Sequence, residues 1–281
     1  MAQPDFIIIG AMKCGTSTLQ TQLSVQPGIF MTTPKEPNFF SDDEVFAQGM
    51  DWYHSLFEPA AVDDLKGEAS THYTKLPTYP DTIARMADAL ESPKLIYMIR
   101  NPVDRAVSHF MHEWSEGRLG KDMERGFRDH PELTQYGCYG MQLATFVARF
   151  GLENICLTSL EQLKTSPDQE LARITAFLGY GRIPAWQPAQ PAQNVSRDRI
   201  RRLPLHDLLI DSRWARKMRH ALIPKALRQR VWQARTFGAR PDIPPGLRTQ
   251  LENTYKTDRE ELAVFFPGHE ALQLCYSFAI Q

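Results

Sequence analysis

The feature that most constrains the fold is a buried-strand pattern followed at once by a glycine-containing loop and a helix. Asp5–Ile9 is a short apolar run rich in β-branched residues, which is typical of a strand buried on both faces of a parallel sheet. Gly10 and Gly15 bracket the loop that follows, and Thr16–Gln26 has helical apolar spacing. The order strand, loop, helix is the opening unit of an α/β nucleotide-binding fold.

Later segments continue this alternation of strands and helices. Lys94–Ile99 predicts a second buried strand, and Asn101 and Pro102 favour a helix start directly after it. The remaining predicted elements are a strand at Asn154–Thr158, helices at Tyr139–Arg149, Pro167–Leu178, His206–His220, Lys225–Arg235 and Pro245 to about Phe265, and an irregular loop at Pro184–Gln193. We therefore predict an α/β fold, with a P-loop-like parallel sheet flanked by helices. We expect one domain over residues 1–281, with a helical C-terminal elaboration.

Charge is unevenly distributed along the chain. The net charge of the 281 residues is -1, which gives no indication of a nucleic-acid partner. Residues 197–240, however, contain 13 basic and 3 acidic residues, so this segment is strongly cationic and the remainder is anionic. A basic segment on an acidic body is typical either of contact with an anion or of a solvated, partly helical surface. Both interpretations stay open.

The cysteines and the apolar runs limit the classes of protein. Cys14, Cys138, Cys156 and Cys275 are far apart, without the spacing of a metal site or of a disulfide framework. We expect reduced thiols and no metal. No apolar run approaches the roughly 20 residues that span a bilayer, and the N-terminus lacks the pattern of a signal peptide. These observations predict a cytoplasmic protein without a transmembrane segment, and they leave the oligomeric state open.

The first loop has the glycine spacing of a Walker A motif, but Thr16 stands where that motif has its lysine. The nearest lysine is Lys13, three residues earlier. Backbone N–H groups at a helix N-terminus still attract an anion, and the hydroxyls of Thr16, Ser17 and Thr18 can add hydrogen bonds. The displaced lysine argues against a standard ATPase or GTPase. The structural alternative is an ordinary glycine-bearing turn with a solvated lysine.

The segment Phe6–Ser17 resembles the 5′-phosphosulfate loop of sulfotransferases that use 3′-phosphoadenosine 5′-phosphosulfate (PAPS). Those loops read Lys-x-Gly-Thr-[Thr/Ser], as Lys13–Ser17 does here. A second family motif has seven residues between an Arg and a Ser, and Arg100 and Ser108 fit it. The resemblance implies that Arg100 and Ser108 bind the 3′-phosphate, whereas the alternative for Arg100 is an ion pair with Asp104. It also implies that the residues of the loop bind the 5′ side of PAPS: Lys13, Cys14, Gly15, Thr16, Ser17 and Thr18.

Two further segments resemble heparan-type and related bacterial sulfotransferases. Lys35–Phe40 is similar to their Glu-x-x-Phe-Phe segment, and Gly67–Tyr73 is similar to Gly-Glu-x-[Ser/Thr]-Pro-x-Tyr. The resemblance implies that Glu36 is the general base and that Lys13 stabilises the leaving group. The alternative for Glu36 is an exposed carboxylate paired with Lys35. His72 is a rival base, because cytosolic aryl and steroid sulfotransferases use a histidine and a free imidazole titrates near neutral pH.

Other positions complete the expected site. Heparan-type enzymes have a lysine where this chain has Ala69, so a strongly anionic acceptor is less assured. The basic loop with Ser196 and Arg197 matches in position a family loop that closes over the nucleotide, or is a solvated arginine cluster. Trp186 and Tyr139 are candidates for stacking on adenine or, more simply, for packing in the core.

These features together predict an enzyme that transfers the sulfuryl group of PAPS to a hydroxyl, less often an amine, and releases 3′-phosphoadenosine 5′-phosphate (PAP). The expected acceptor is a small molecule, a lipid or a carbohydrate. The alternatives are a P-loop kinase or NTPase with a degenerate Walker A motif, and a non-catalytic module that binds nucleotides or polyanions.

Overall fold

The computed structural model describes residues 3–188 and 241–279 of the chain. Within them, five strands form one sheet in the order β2-β3-β1-β4-β5, and every neighbouring pair is parallel. The strands are β1 (Phe6–Gly10), β2 (Ile29–Met31), β3 (Leu65–Ala69), β4 (Lys94–Ile99) and β5 (Ile155–Ser159). The predicted fold class, a parallel sheet flanked by helices, is confirmed.

Helices connect and extend these strands. In the described residues they are α1 (Thr16–Ser24), α2 (Asp43–Phe46), α3 (Gly49–Ser55), α4 (Thr82–Ala89), α5 (Pro102–Ser115), α6 (Met123–Asp129), α7 (Glu132–Gln135), α8 (Tyr139–Phe150), α9 (Leu160–Thr165), α10 (Pro167–Leu178), α11 (Pro245–Phe265) and α12 (Glu270–Cys275). Short 3-10 turns lie at Thr71–Thr74, Leu152–Asn154 and Ser277–Ala279. None of these helices is both long and apolar enough to cross a membrane.

The strand order places a ligand-binding crevice at the centre of the sheet. The chain runs from β1 outward to β2, returns to β3, and then passes β1 to form β4 on its other side. This change of direction is a topological switch point, where open α/β sheets bind ligands beyond the carboxyl ends of their strands. The loops after β1 and β4, which contain Lys13 and Arg100, therefore meet at one edge.

Burial explains which elements the sequence revealed. Phe6–Ile9 of β1 and Leu95–Ile99 of β4 are inaccessible to solvent, as expected for central parallel strands. Strands β2 and β3 were not predicted, because β2 has only three residues and β3 contains Lys66 and Glu68. The predicted ends of α1 and β5 were displaced by one or two residues, which is ordinary for element boundaries.

The C-terminal helix is fastened to the body of the domain. Helix α11 packs along α8, and the Asp258 carboxylate accepts hydrogen bonds from the backbone N–H groups of Gly140 (2.9 Å) and Met141 (3.0 Å). This confirms a helix from Pro245 to Phe265. The irregular course predicted for Pro184–Gln193 is confirmed over residues 184–188. The helices predicted at His206–His220 and Lys225–Arg235, and the basic segment 197–240, lie outside the described residues.

Candidate active site

The loop between β1 and α1 can adopt its path only with glycine at both ends. Gly10 has φ +156°, and a Cβ there would lie 2.0 Å from Oγ1 of Thr74. Gly15 has φ +94°, and its Cβ would lie 2.9 Å from Cδ1 of Leu160. The Ala11 N–H donates to the Met98 carbonyl (2.8 Å), so the loop is attached to β4. The glycine spacing noted in the sequence therefore reflects close packing of the loop against two other elements.

The N-terminus of α1 presents backbone donors toward the loop. Its N-cap is Gly15, and no side chain caps the helix. Thr16 and Ser17 occupy the first helical positions, whose N–H groups have no acceptor within an α-helix. Such a helix start favours an anion through these N–H groups and the helix dipole. Lys13, with φ +68°, adds a cation in the same loop.

One buried tyrosine joins the two predicted phosphate motifs. The Tyr139 hydroxyl donates to the Arg100 carbonyl (2.9 Å) and lies 3.3 Å from the Cys14 sulfur. Both Tyr139 and Cys14 are inaccessible to solvent, and burial raises the pKa of the Cys14 thiol to about 12. Cys14 thus points into the core and can meet a ligand only through its backbone. Tyr139 packs edge-on against Tyr97 and serves the core instead of a stacking surface.

Arg100 and Ser108 lie on the same side of the site. Arg100 follows β4, and its guanidinium lies 3.8 Å from the Asp104 carboxylate, so the ion pair considered from the sequence is present. Asp104 is half-exposed, and such a pair contributes little and leaves the guanidinium able to bind a further anion. Ser108 is buried in α5 one turn beyond Asp104, on the same helix face.

Lys35 connects the candidate base to the phosphate loop. Its ammonium donates to Oγ of Ser17 at the start of α1 (2.5 Å) and lies 3.3 Å from Oε1 of Glu36. The pair with Glu36 was the structural alternative in the sequence, but the same lysine also contacts the loop. The structure therefore brings Glu36 to the edge of the sheet where α1 begins.

The backbone around Glu36 is held in an uncommon conformation. Glu36 and Asn38 have φ values of +57° and +55°, in the left-handed region that side chains other than glycine rarely occupy. The Glu36 N–H donates to the Ala69 carbonyl (3.0 Å), and the Asn38 N–H donates to Oγ of Ser70 (3.0 Å). These bonds attach the segment to the end of β3. Backbone outliers of this kind cluster at functional sites.

His72 lies near Glu36 and is partly buried. Burial, and then the positive charge of Lys75, lower the pKa of His72 to about 4. Its ring stacks on Tyr79, with centroids 4.9 Å apart. A pKa this low removes the advantage that an ordinary histidine has as a base near neutral pH, and Glu36 and His72 are both kept as candidate bases.

Lys75 is a buried cation that the sequence did not assign to the site. Only 7% of the residue is exposed, and burial lowers the pKa of its ammonium to about 8 against the opposing effect of Glu36 and Glu113. Its Nζ lies 5.8 Å from the ring centroid of Tyr136. Sequence reasoning also missed the role of Lys35, and the adjacent Glu36 was the only available signal. The predicted Ser196 and Arg197 lie outside the described residues.

Trp186 lies at the edge of the core, and the described residues contain no metal-ligand cluster. Trp186 is half-buried against the core, and its backbone N–H lies 3.3 Å from the Asp168 carboxylate. Within residues 3–188 and 241–279, no group of three or more His, Cys, Asp or Glu side chains is arranged to hold a metal ion.

A parallel sheet with an uncapped helix start and an arginine at its switch point is the architecture of a P-loop-like protein. Comparison with known proteins identifies the class more closely. The family model described as Sulfotransferase domain matches residues 3–197, which is more than half of the chain. The chain therefore belongs to the sulfotransferase family.

Curated relatives agree with this assignment. Heparan sulfate glucosamine 3-O-sulfotransferase 3B1 of Mus musculus is 31% identical over 192 residues, covering 64% of this chain and 47% of that protein. The membrane-associated sulfotransferase kil1 of Dictyostelium discoideum is 34% identical over 129 residues, covering 44% of this chain and 26% of that protein. The chain thus spans about half or less of the length of these relatives.

Solved structures share the fold. A sulfotransferase from Alicyclobacillus acidocaldarius superposes with a TM-score of 0.66 at 25% identity, covering 97% of this chain and all of that one. Mouse sulfotransferase SULT7A1, solved in complex with PAP, gives a TM-score of 0.50 at 16% identity, covering 99% of this chain and 90% of that one. The second likeness concerns the fold alone.

Proposed function

We propose that this protein transfers the sulfuryl group of PAPS to a hydroxyl, less often an amine, and releases PAP. The observation that most supports this is the contact of Lys35 with both Ser17 and Glu36. It brings a carboxylate that can take up a proton close to a helix start that can hold a phosphate. A sulfotransferase needs these two groups side by side, because the acceptor must attack beside the leaving phosphate.

The residues present fit PAPS. The first turn of α1, without a side-chain cap, suits the 5′-phosphate, and Arg100 with Ser108 suits the 3′-phosphate. PAPS supplies the activated sulfuryl group, with a phosphate as its leaving group. Lys13 and the N–H groups of α1 stabilise negative charge on that phosphate, and Glu36 removes the proton of the acceptor. Positioning and charge stabilisation then account for most of the rate.

The acceptor class is part of the proposal. One of the relatives named above, the mouse 3-O-sulfotransferase 3B1, acts on heparan sulfate according to its name, which supports a carbohydrate or another hydroxyl-bearing molecule as acceptor. Ala69 removes one cation that heparan-type enzymes have, but the buried Lys75 lies near Glu36 and offers a positive charge from another position. A carbohydrate, a lipid and a small molecule with a hydroxyl group are therefore the acceptors to screen.

Transfer of radiolabelled sulfuryl groups from PAPS to an acceptor panel tests the proposal. Glu36→Gln should lower kcat by about 10²–10⁴-fold, the usual effect of losing a general base. Lys13→Ala should remove most activity, and Arg100→Ala should weaken PAP binding, which calorimetry measures directly. Normal turnover in Glu36→Gln together with loss of turnover in His72→Ala would instead identify His72 as the base.

Two other functions make opposite predictions. A degenerate P-loop kinase or NTPase would bind ATP with Mg²⁺ and hydrolyse it, whereas the proposed enzyme should do neither. A non-catalytic module would bind PAP without turnover of PAPS, or bind polyanions equally well after Lys13→Ala. Tight Mg²⁺–ATP binding, or PAP binding with no transfer to any acceptor, would therefore contradict the proposal.

We further propose that the protein works in a reducing compartment, the cytoplasm. All four cysteines are free thiols in the structure, and three of them are buried. Localisation of a tagged full-length protein by microscopy, with and without the natural N-terminus, tests this directly.

A further inference from the structure

A fully buried carboxylate lies behind the segment that contains Glu36. Glu68 of β3 is inaccessible to solvent. Its Oε1 accepts hydrogen bonds from the hydroxyls of Tyr53 (2.9 Å) and Tyr73 (2.8 Å), and its Oε2 accepts one from Ser70 (3.0 Å). None of these side chains belongs to the proposed catalytic groups. The cluster consists of Tyr53, Glu68, Ser70 and Tyr73, and we call it the Glu68 cluster.

The Glu68 cluster is not what stability alone would select. Burial raises the pKa of Glu68 to about 7, although the hydrogen bonds from Tyr73, Tyr53 and Ser70 act in the opposite direction. A buried charge of this kind is costly, and well-packed apolar residues often replace such networks without loss of stability. A buried network of this kind is therefore weak evidence for stabilisation, and its contacts with neighbouring segments bear on its role.

The cluster ends on the backbone of the catalytic segment. Ser70 gives its only hydroxyl proton to Glu68, so its oxygen presents lone pairs to the Asn38 N–H, which donates to it (3.0 Å). Two residues before Asn38, the Glu36 N–H donates to the carbonyl of Ala69, the residue between Glu68 and Ser70. Both anchors of the strained Glu36–Asn38 segment therefore belong to the stretch that begins at Glu68.

The tyrosines of the cluster also hold the other end of this segment. Tyr53 stacks on Phe39 with ring centroids 4.7 Å apart, and it meets Phe40 edge-on at 5.0 Å. Tyr73 contacts Phe40 at 5.7 Å. The hydroxyl of each tyrosine is fixed by Glu68, while its ring faces the two phenylalanines that follow Glu36. One carboxylate thus fixes the neighbours of Glu36 through both hydrogen bonds and ring packing.

We propose that Glu68 is a positioning residue that holds Glu36 in its catalytic orientation through Ser70 and Asn38. This rests on the proposed function, in which Glu36 is the base. Glu68 itself is sealed from the reacting groups and acts only through the segment it anchors. Its loss should therefore slow turnover while leaving the phosphate loop and PAP binding intact.

Steady-state kinetics on two single variants and their combination test the proposal. Ser70→Ala breaks the link to Asn38, and Glu68→Met removes both acceptor oxygens of the cluster while keeping the length of the side chain. Each should lower kcat about tenfold, since small displacements of a catalytic group are costly, while the KM for PAPS and the Kd for PAP stay within about twofold. The double variant should lose no more than the worse single variant, because both break one chain of contacts.

The matched control is Thr158→Val. Thr158 is buried and donates from its hydroxyl to the Glu170 carboxylate (2.6 Å), a bond of the same kind as that of Ser70 to Glu68 but on β5 and α10. This variant should keep kcat within about twofold of wild type. An equal loss of kcat in Thr158→Val, or additive losses in the double variant, would mean that general loosening of the fold explains the effect, and would overturn the proposal.

Amide hydrogen exchange gives a readout that does not depend on activity. Peptides covering residues 34–42 should exchange faster in Ser70→Ala than in wild type. Their exchange rate should be unchanged in Thr158→Val. An unchanged exchange rate in Ser70→Ala would overturn the positioning role, whatever the turnover of that variant. Failure of the proposed function would appear differently, as no transfer from PAPS by the wild-type protein, and exchange would still decide whether Glu68 anchors this segment.

Discussion

Tyr139 offers a sharp test of how the two phosphate motifs are coupled. Its hydroxyl donates to the Arg100 carbonyl and contacts the Cys14 thiol, so one oxygen atom joins the loop after β1 to the loop after β4. Tyr139→Phe removes that atom and keeps the buried ring. The Arg100 carbonyl then loses its tyrosine donor in a part-buried contact.

The magnitude follows from this contact. Leaving a buried acceptor without its partner costs about 1–3 kcal/mol. With a cost of about 2 kcal/mol, Tm should fall by roughly 3–4 °C in a domain of this size. If about 1 kcal/mol of this cost is also lost from the binding free energy of PAP, which contacts both phosphate motifs, the Kd for PAP rises about fivefold. Adenosine 5′-phosphate, which has no 3′-phosphate, should be affected less than PAP.

Thermal unfolding and calorimetric titration with both nucleotides measure these effects. Tyr255→Phe is the matched control, because the buried Tyr255 also donates to a backbone carbonyl, that of Thr134 (3.2 Å), and its hydroxyl contacts Arg105 instead of Arg100 or Ser108. It should lower Tm similarly but leave PAP affinity unchanged. The reasoning is refuted if Tyr139→Phe binds PAP as tightly as wild type, or if Tyr255→Phe weakens PAP equally.

Three further changes have defined outcomes. Gly15→Ala should cost about 1–2 kcal/mol of folding free energy and weaken PAP binding, because the φ of residue 15 is +94° and a Cβ there would press on Leu160. Urea unfolding measures the first effect and calorimetry the second. Wild-type stability of the variant would contradict the packing argument. Lys35→Met should lower kcat/KM about 10–100-fold, the worth of hydrogen bonds to a charged group, and unchanged kinetics would separate Lys35 from the site. Burial lowers the pKa of Lys75 from 10.5 to about 8, so the unfolded chain holds more protons between these pH values and stability rises with pH there. Lys75→Met should therefore be more stable than wild type at pH 7 by on the order of 3 kcal/mol, with a gap that shrinks toward pH 10; a gap independent of pH in urea unfolding would refute this.

The sequence was most informative where the structure depends on residues that are adjacent along the chain. The buried strands β1 and β4, the glycines of the first loop and the helix that begins at Pro102 were all visible in short runs of residues. Each is set by local rules, namely continuous apolar burial, positive φ at glycine, and a helix start at Asn-Pro. The three-residue β2 and the charged β3 have no such pattern and form because adjacent strands offer them hydrogen bonds.

The candidate site shows the same division. The sequence singled out Lys13, Arg100 and Glu36 through motifs, and the order of the motifs indicated that they meet at one edge. It offered Glu36 and His72 as alternative bases and could not indicate that burial lowers the pKa of His72. It also did not indicate that Lys35 contacts Ser17 in addition to Glu36.

By itself, the sequence determined the fold class, the phosphate loop and the residue types available for sulfuryl transfer. Only the tertiary structure decided which of these residues meet. Cys14 and Tyr139 are 125 positions apart in the sequence, and Tyr53 and Glu68 are 15 positions apart, yet both pairs are in hydrogen-bond contact in the interior. Local propensities are set by adjacent side chains, whereas such contacts depend on how whole elements pack. That packing places Glu36 in a strained segment beside the start of α1, anchored from behind by a carboxylate that solvent never reaches.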